Sequence, residues 1–192
     1  MRLSQLFGRT LRKPPADAST PGLGLAVRAG VIRPVEPGRY ACLPLGWRAI
    51  RRADALVRAA VEDLGGQEMW WPPGRDGLKA VVELARREVH SYRDLPRLVY
   101  RVGAEERHGR LGKGLLAALP PWGMEAYSLH ADGADLDGLY ARVVEAWEGI
   151  ASRCGLEWVW AEAGLGEVEE SAMLIPHPAG EDRLVRCPGC GY

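Results

Sequence analysis

The sequence predicts an α+β domain built around an antiparallel sheet with helices packed against it. Three observations carry that expectation. Gly46 to Gly66 holds one long apolar stripe, with Ile50, Ala53, Val57, Ala60, Val61 and Leu64 at steps of three and four. Strand-like runs crowd the second half of the chain. Helical patterns are grouped beside those runs and do not alternate with them strictly, which points to α+β and not to a parallel doubly wound sheet.

Taken in order, residues 1–24 lack periodicity and are punctuated by Pro14-Pro15 and Pro21-Gly22, so they read as an extended arm. In the first long helix Arg48, Arg51, Arg52, Arg58 and Glu62 fall largely off the apolar stripe, and Gly65-Gly66 supplies a stop. Gln67 to Pro72 reads as a short strand, ended by Pro72-Pro73-Gly74. A second helix is expected from about Asp76 to His90, with Leu78, Val81, Val82, Ala85 and Val89 on one face. Leu98 to Val102 has strand character, 103–123 reads as loop, and Ala126 to His130 is a strand. A third helix is expected from Ala134, capped by Asp132 or Asp135 and ended by Cys154-Gly155. Leu156 to Ala161 and Arg183 to Arg186 are the last strand candidates. No internal repeat is visible, and 192 residues suit one domain.

Composition narrows the function classes. Lys+Arg and Asp+Glu are 25 each, so the formal net charge is zero and nucleic-acid contact requires a local patch. Arg2, Arg9, Arg12 and Lys13 form one such stretch, against the simpler reading of a solvated terminus. Four cysteines do not make a secreted disulfide framework. No apolar h-region follows the first residues and no run is long enough to span a membrane, so a soluble cytoplasmic protein is expected.

The chemistry-bearing residues are sparse. Cys187-Pro188-Gly189-Cys190 has metal-ligand spacing but is half of a tetrahedral zinc site, with His177 the nearest further ligand; a terminal pair without metal is the simpler reading. Gly112-Lys113-Gly114 lacks the spacing of a phosphate loop and reads as a turn. His90, His108 and His130 find no nucleophile arrangement. Glu167, Glu169 and Glu170 fit a solvated loop. In Trp70-Trp71 and in Trp158/Trp160, alternation turns one ring of each pair inward and leaves the other for solvent or a partner.

Many segments, in collinear order, resemble bacterial-type prolyl-tRNA synthetases. They include Met1 to Arg12, Arg28 to Arg33, Leu43 to Arg48, Gly65 to Pro72, Leu84 to Glu88, Ser91 to Pro96, Ala126 to Ser128, His130 to Asp132 and Cys154 to Leu156, with Cys187, Cys190, Gly191 and Tyr192 at the end. The resemblance implies a class II synthetase fold, cut down to the front of its catalytic domain. It implies dimerisation through a motif 1-like helix and strand, with Trp47, Arg48, Gln67, Glu68, Met69 and Pro72 at the interface. It also implies ATP with magnesium, tRNA as partner, and Arg107 in the place of the motif 2 arginine that grips the α-phosphate; the bland alternative for Arg107 is a surface arginine.

The departures from the pattern are as informative. The segment after the motif 1 proline is shortened to about Pro73–Lys79. Gly77 to Ala80 stand where the family's Thr-x-Glu holds the prolyl amino group, and an ammonium without its counter-charge is costly to bury. Gly109 replaces the motif 2 glutamate, and the return strand Leu116 to Pro121 carries no arginine. Glu169 to Ala172 replace Ser-His-Glu-Phe. The resemblance gives no editing domain, motif 3 or anticodon-binding domain within residues 1–192. The expectation is therefore a binding or regulatory paralogue acting as a homodimer, or as a heterodimer with a synthetase. The alternative is one part of an ATP-dependent ligase completed by another chain.

Overall fold

A computed structural model describes residues 3–71, 77–104, 114–115, 119, 122–162, 171–178, 180, 182–187 and 189. The chain forms two compact units, Met1–Ala146 and Trp147–Tyr192. The described part is α+β, with three small sheets.

In the first unit the expected arm ends early. Helix α1 covers Pro21–Arg28, with the Thr20 side chain accepting from the Leu23 amide at 3.2 Å and proline at its first turn. Strands β1 (Ile32–Glu36) and β2 (Arg39–Cys42) form an antiparallel hairpin, with Ile32 opposite Cys42. Leu23, Val27 and Ile32 make a small core beneath α1, joined by Tyr40 and Cys42. Arg33 holds the arm to this core: its guanidinium donates to the carbonyls of Val27, Ile32 and Arg9.

Helix α2 covers Pro44–Asp63, close to the predicted span, and Gly65 follows it at φ +87°. Strand β3 is only Gly66–Glu68, because the chain leaves the ladder after the Met69 amide donates to the Tyr100 carbonyl at 2.7 Å. Helix α3 covers Gly77–Glu88. Strands β4 (Arg97–Ala104) and β5 (Trp122–Leu129) reach further into the expected loop 103–123 from both sides. The sheet order is β3-β4-β5; β4 and β5 are antiparallel, but β3 and β4 are parallel. The sheet is thus mixed where a wholly antiparallel one was predicted. The cause is the connection: parallel neighbours need a crossover, and the segment containing α3 provides it.

Alternation gives this sheet two faces. Leu98, Tyr100, Val102 and Met124 lie on one and pack with Val61 of α2 and with Leu64 just after it. Val99, Arg101 and Gly103, opposite Tyr127, Glu125 and Gly123, lie on the other. Helix α4 (Gly133–Arg153) starts where the Asp132 carboxylate accepts from the Asp135 amide at 2.9 Å, as one of the two predicted caps. Beside it, His130 is bound through Nδ1 to Asp135 Oδ2 at 2.7 Å.

In the second unit, β6 (Val159–Glu162) pairs antiparallel with β7 (Ser171–Leu174). The Trp160 indole donates to Glu148 at 2.8 Å. The predicted strand Arg183 to Arg186 is absent: 182–187 is exposed and irregular, because among the described residues no neighbouring strand accepts its backbone groups. No helix among the described residues is long and apolar enough to cross a membrane.

Candidate functional site

The sheet face turned away from α2 carries a compact polar cluster. Arg101 and Glu125 sit directly opposite each other on β4 and β5. The Arg101 Nε donates to Glu125 Oε2 at 2.9 Å, and the Trp71 indole donates to the same oxygen at 3.1 Å. Trp71 is almost fully buried and its ring lies 5.7 Å from the Arg101 guanidinium carbon and 5.8 Å from the Tyr127 ring. Trp70 is 80 % exposed, so the predicted inward–outward split of this pair holds.

The start of α3 closes over the cluster. A Cβ at Gly77 would lie 2.7 Å from the Tyr127 hydroxyl, 3.0 Å from Glu125 Oε2 and 3.3 Å from the Trp71 indole nitrogen. Glycine is what lets the helix approach this closely. The Arg101 guanidinium holds the Glu125 carboxyl below its ordinary range, opposed by partial burial and aided by the Trp71 indole. A cleft of about 530 Å³ opens beside the pair, lined by Glu68, Met69, Trp70 and the Arg101–Ala104 end of β4.

On the other face, Tyr100 is fully buried and its hydroxyl donates to Glu62 at 3.2 Å. Burial and that carboxylate push the Tyr100 hydroxyl up to about 12. A relay of side chains runs along the flank of α2. Arg58 chelates Glu68 at 2.9–3.1 Å and faces Asp54 at 3.6 Å; Asp54 accepts from the Trp122 indole at 2.9 Å.

No family model matches the chain. Individual proteins do, along its whole length. It is 31% identical to the proline–tRNA ligase of Dehalococcoides mccartyi over 229 aligned residues, covering 100% of this chain and 40% of that protein. It is 34% identical to the proline–tRNA ligase of Mycobacterium avium over 228 residues, covering 100% of this chain and 39% of that one. It is 33% identical to that of an Anaeromyxobacter species, again over 100% of this chain.

The chain is homologous along its whole length to part of the proline–tRNA ligases.

It spans about two-fifths of the length of these relatives. The aligned stretch exceeds the 192 residues present here, so the relatives carry positions that this chain lacks. That agrees with the shortening read from the sequence.

The residues that the family resemblance singled out are only partly brought together. Trp47 and Arg48 stand in the first turn of α2, whereas Gln67, Glu68 and Met69 follow its last turn. A helix of 20 residues is roughly 30 Å long, so the expected interface is divided between its two ends. Glu68 is engaged by Arg58 within the chain. Arg107, Pro72, Cys190, Gly112, His108, Glu167, Glu169 and Glu170 lie outside the described residues. Cys187, His177, His90, Arg9, Arg12 and Lys13 are exposed, and no cluster of three metal-binding side chains occurs among the described residues.

Sequence reasoning missed Arg101, Glu125, Trp71 and Tyr127 as a unit. A signal was present: an arginine and a glutamate, each at the centre of an apolar strand, imply a cross-strand pair. What the sequence withheld was the register that sets them opposite each other.

Proposed function

We propose that this chain is a synthetase-like binding protein that does not complete aminoacylation alone. It works in the cytoplasm as a pairing partner, of itself or of a full synthetase, and holds a nucleotide, amino acid or tRNA end. The observation that carries this reading is the closed cluster on the sheet face. Arg101 and Glu125 satisfy each other under Trp71, and the Gly77 end of α3 fills the space above them. A charged pair committed to itself is not offered to a substrate. The internal departures point the same way: Gly77 to Ala80 in place of Thr-x-Glu, Gly109 in place of glutamate, and no arginine in Leu116 to Pro121.

The pairing surface under this reading is the outer edge of β3 with Gln67, Glu68, Met69 and Trp70. Among the described residues that edge is unpaired, and Trp70 is largely exposed beside it. The test is a proline-dependent pyrophosphate-exchange assay, with calorimetry for ATP and magnesium binding, on protein whose mass in solution is measured. The expected result is a dimer with no proline-dependent pyrophosphate exchange. Exchange by the chain alone would overturn the reading.

A second reading rests on Arg107, three positions beyond the end of β4. There it supplies a planar cation for an ATP phosphate, and the chain is one part of an acyl-adenylate-forming ligase completed by another chain. Under that reading ATP binding tightens with proline, and Arg107→Ala abolishes it.

A further inference from the structure

The outer face of the first half of α2 carries a cluster of three cations. Arg48, Arg51 and Arg52 are all exposed, at spacings of three and four that place them on one side of the helix. Like charges at these spacings repel, and α2 has no acidic residue in its first turn to offset them. Some arginines of the first unit are matched, as Arg39 is with Glu36, Arg58 with Glu68 and Arg86 with Glu83. The three on α2 have no ion pair or hydrogen bond among the described residues. They border a hollow of about 520 Å³.

An aromatic pair stands beside this cation cluster. Trp47 precedes Arg48 and lies one turn from Arg51. Its ring meets that of Trp122 edge to face, with centroids 5.5 Å apart at 84°. Both indoles are about two-fifths exposed, at 42% and 43%. Trp122 is also fixed in place: its indole donates to Asp54, and Asp54 is steadied by Arg58. Core packing does not account for two half-exposed tryptophans held rigid beside three unmatched guanidinium groups.

We infer that this surface binds single-stranded RNA, with bases stacked on the Trp47–Trp122 pair and phosphates held by Arg48, Arg51 and Arg52. Rigid aromatic faces beside cations are what unpaired nucleotides require: every base has a π-face, and every linkage carries a charge. A duplex offers the charge but hides the faces. An acidic protein offers carboxylates but no stack for an ordered indole pair. The surface is separate from the cluster around Glu125 and from the β3 edge, so it stands whether or not the chain handles ATP.

The test is fluorescence anisotropy of a labelled, unstructured oligoadenylate with the whole chain, repeated across a salt series. Duplex RNA and inorganic polyphosphate serve as competitors. Replacing Arg48, Arg51 and Arg52 together by Ala is expected to weaken binding and to lower the slope of log affinity against log salt by about two. Trp122→Leu, and separately Trp47→Leu, are expected to weaken binding roughly fivefold to a hundredfold with the slope unchanged. The second tryptophan variant keeps the test valid if loss of the Trp122–Asp54 bond unfolds the first. Absence of binding at low salt overturns the inference. So does polyphosphate or duplex competing as well as oligoadenylate while the tryptophan variants bind normally, which marks a mere polyanion site. A triple arginine variant that loses only its dimeric mass, with no RNA bound by the parent chain, overturns it in favour of a subunit contact.

Discussion

Glu125 and Tyr100 sit on opposite faces of one sheet and titrate in opposite directions. Glu125 is held below its ordinary range by Arg101, so its carboxylate favours the folded state above the ordinary value of 4.5 and that contribution is lost as the pH falls through its lowered folded value. Glu125→Gln is expected to flatten the acid limb of a stability–pH curve followed by urea denaturation. Tyr100 is raised from 10.0 to about 12. Its contribution is complete below pH 10 and is lost as the pH climbs towards 12, so Tyr100→Phe is expected to flatten the alkaline limb instead. Removing the cation should cost more than removing the proton. Arg101→Met leaves Glu125 facing a hydrophobic ring, and because that carboxylate keeps some water the loss is expected near the low side of a broken buried pair, about 2–3 kcal/mol. Gly77→Ala gains helix propensity but drives a methyl group into Tyr127 and Glu125; the expected net effect is a destabilisation of about 1–2 kcal/mol in the same assay.

At the scale of elements, what was legible followed from local signals. The long helix was read to within two or three residues because its apolar stripe and its Gly65 stop are both local. The caps of α4 and the end of α3 were legible for the same reason. Helix α1 was overlooked although Thr20-Pro21 is a start signal, since eight residues give too few turns for a convincing stripe. The β1–β2 hairpin was overlooked because Pro34 and the irregularity between Pro34 and Glu36 break its alternation. Arg183 to Arg186 misled through composition alone: strand propensity means little without a neighbour to pair with. Parallel pairing of β3 with β4 is a tertiary fact with no local trace.

Packing between elements also has its own test. A Cβ at Gly46 would sit 2.4 Å from the Val31 carbonyl oxygen, which already accepts from the Leu43 amide. Backbone cannot swing aside as a side chain can, so Gly46→Ala is expected to lower stability by about 1–3 kcal/mol, read from the shift in the urea midpoint. Arg33→Ala is expected to loosen 3–20 from α1 without unfolding the β3-β4-β5 sheet. Limited proteolysis should then cut the arm early, while tryptophan fluorescence reports an intact core.

For the molecule as a whole, zero net charge conceals a sharply uneven surface. The same 20-residue helix carries unmatched arginines near its start and Glu62 and Asp63 at its end. A surface so divided associates in a salt-sensitive way. If β3 edges pair in solution, the mass by light scattering should stay dimeric in high salt, because that contact is backbone and aromatic. Trp70→Glu should shift the mass to that of a monomer without altering the melting of the β3-β4-β5 sheet.

The parallel join between β3 and β4 also limits how this lineage could have been pared down. Two neighbouring strands running the same way cannot be tied by a tight turn, and the chain must travel back along the sheet before the second begins. Among the described residues, the return path holds α3 and the short 3-10 turn Tyr92–Asp94. Residues could be deleted ahead of α3 only until the helix no longer reached from one end of the sheet to the other. The return path is, in other words, a tether with a minimum length. Homologues that have trimmed the same stretch should stop at a similar return path, whatever else they have discarded.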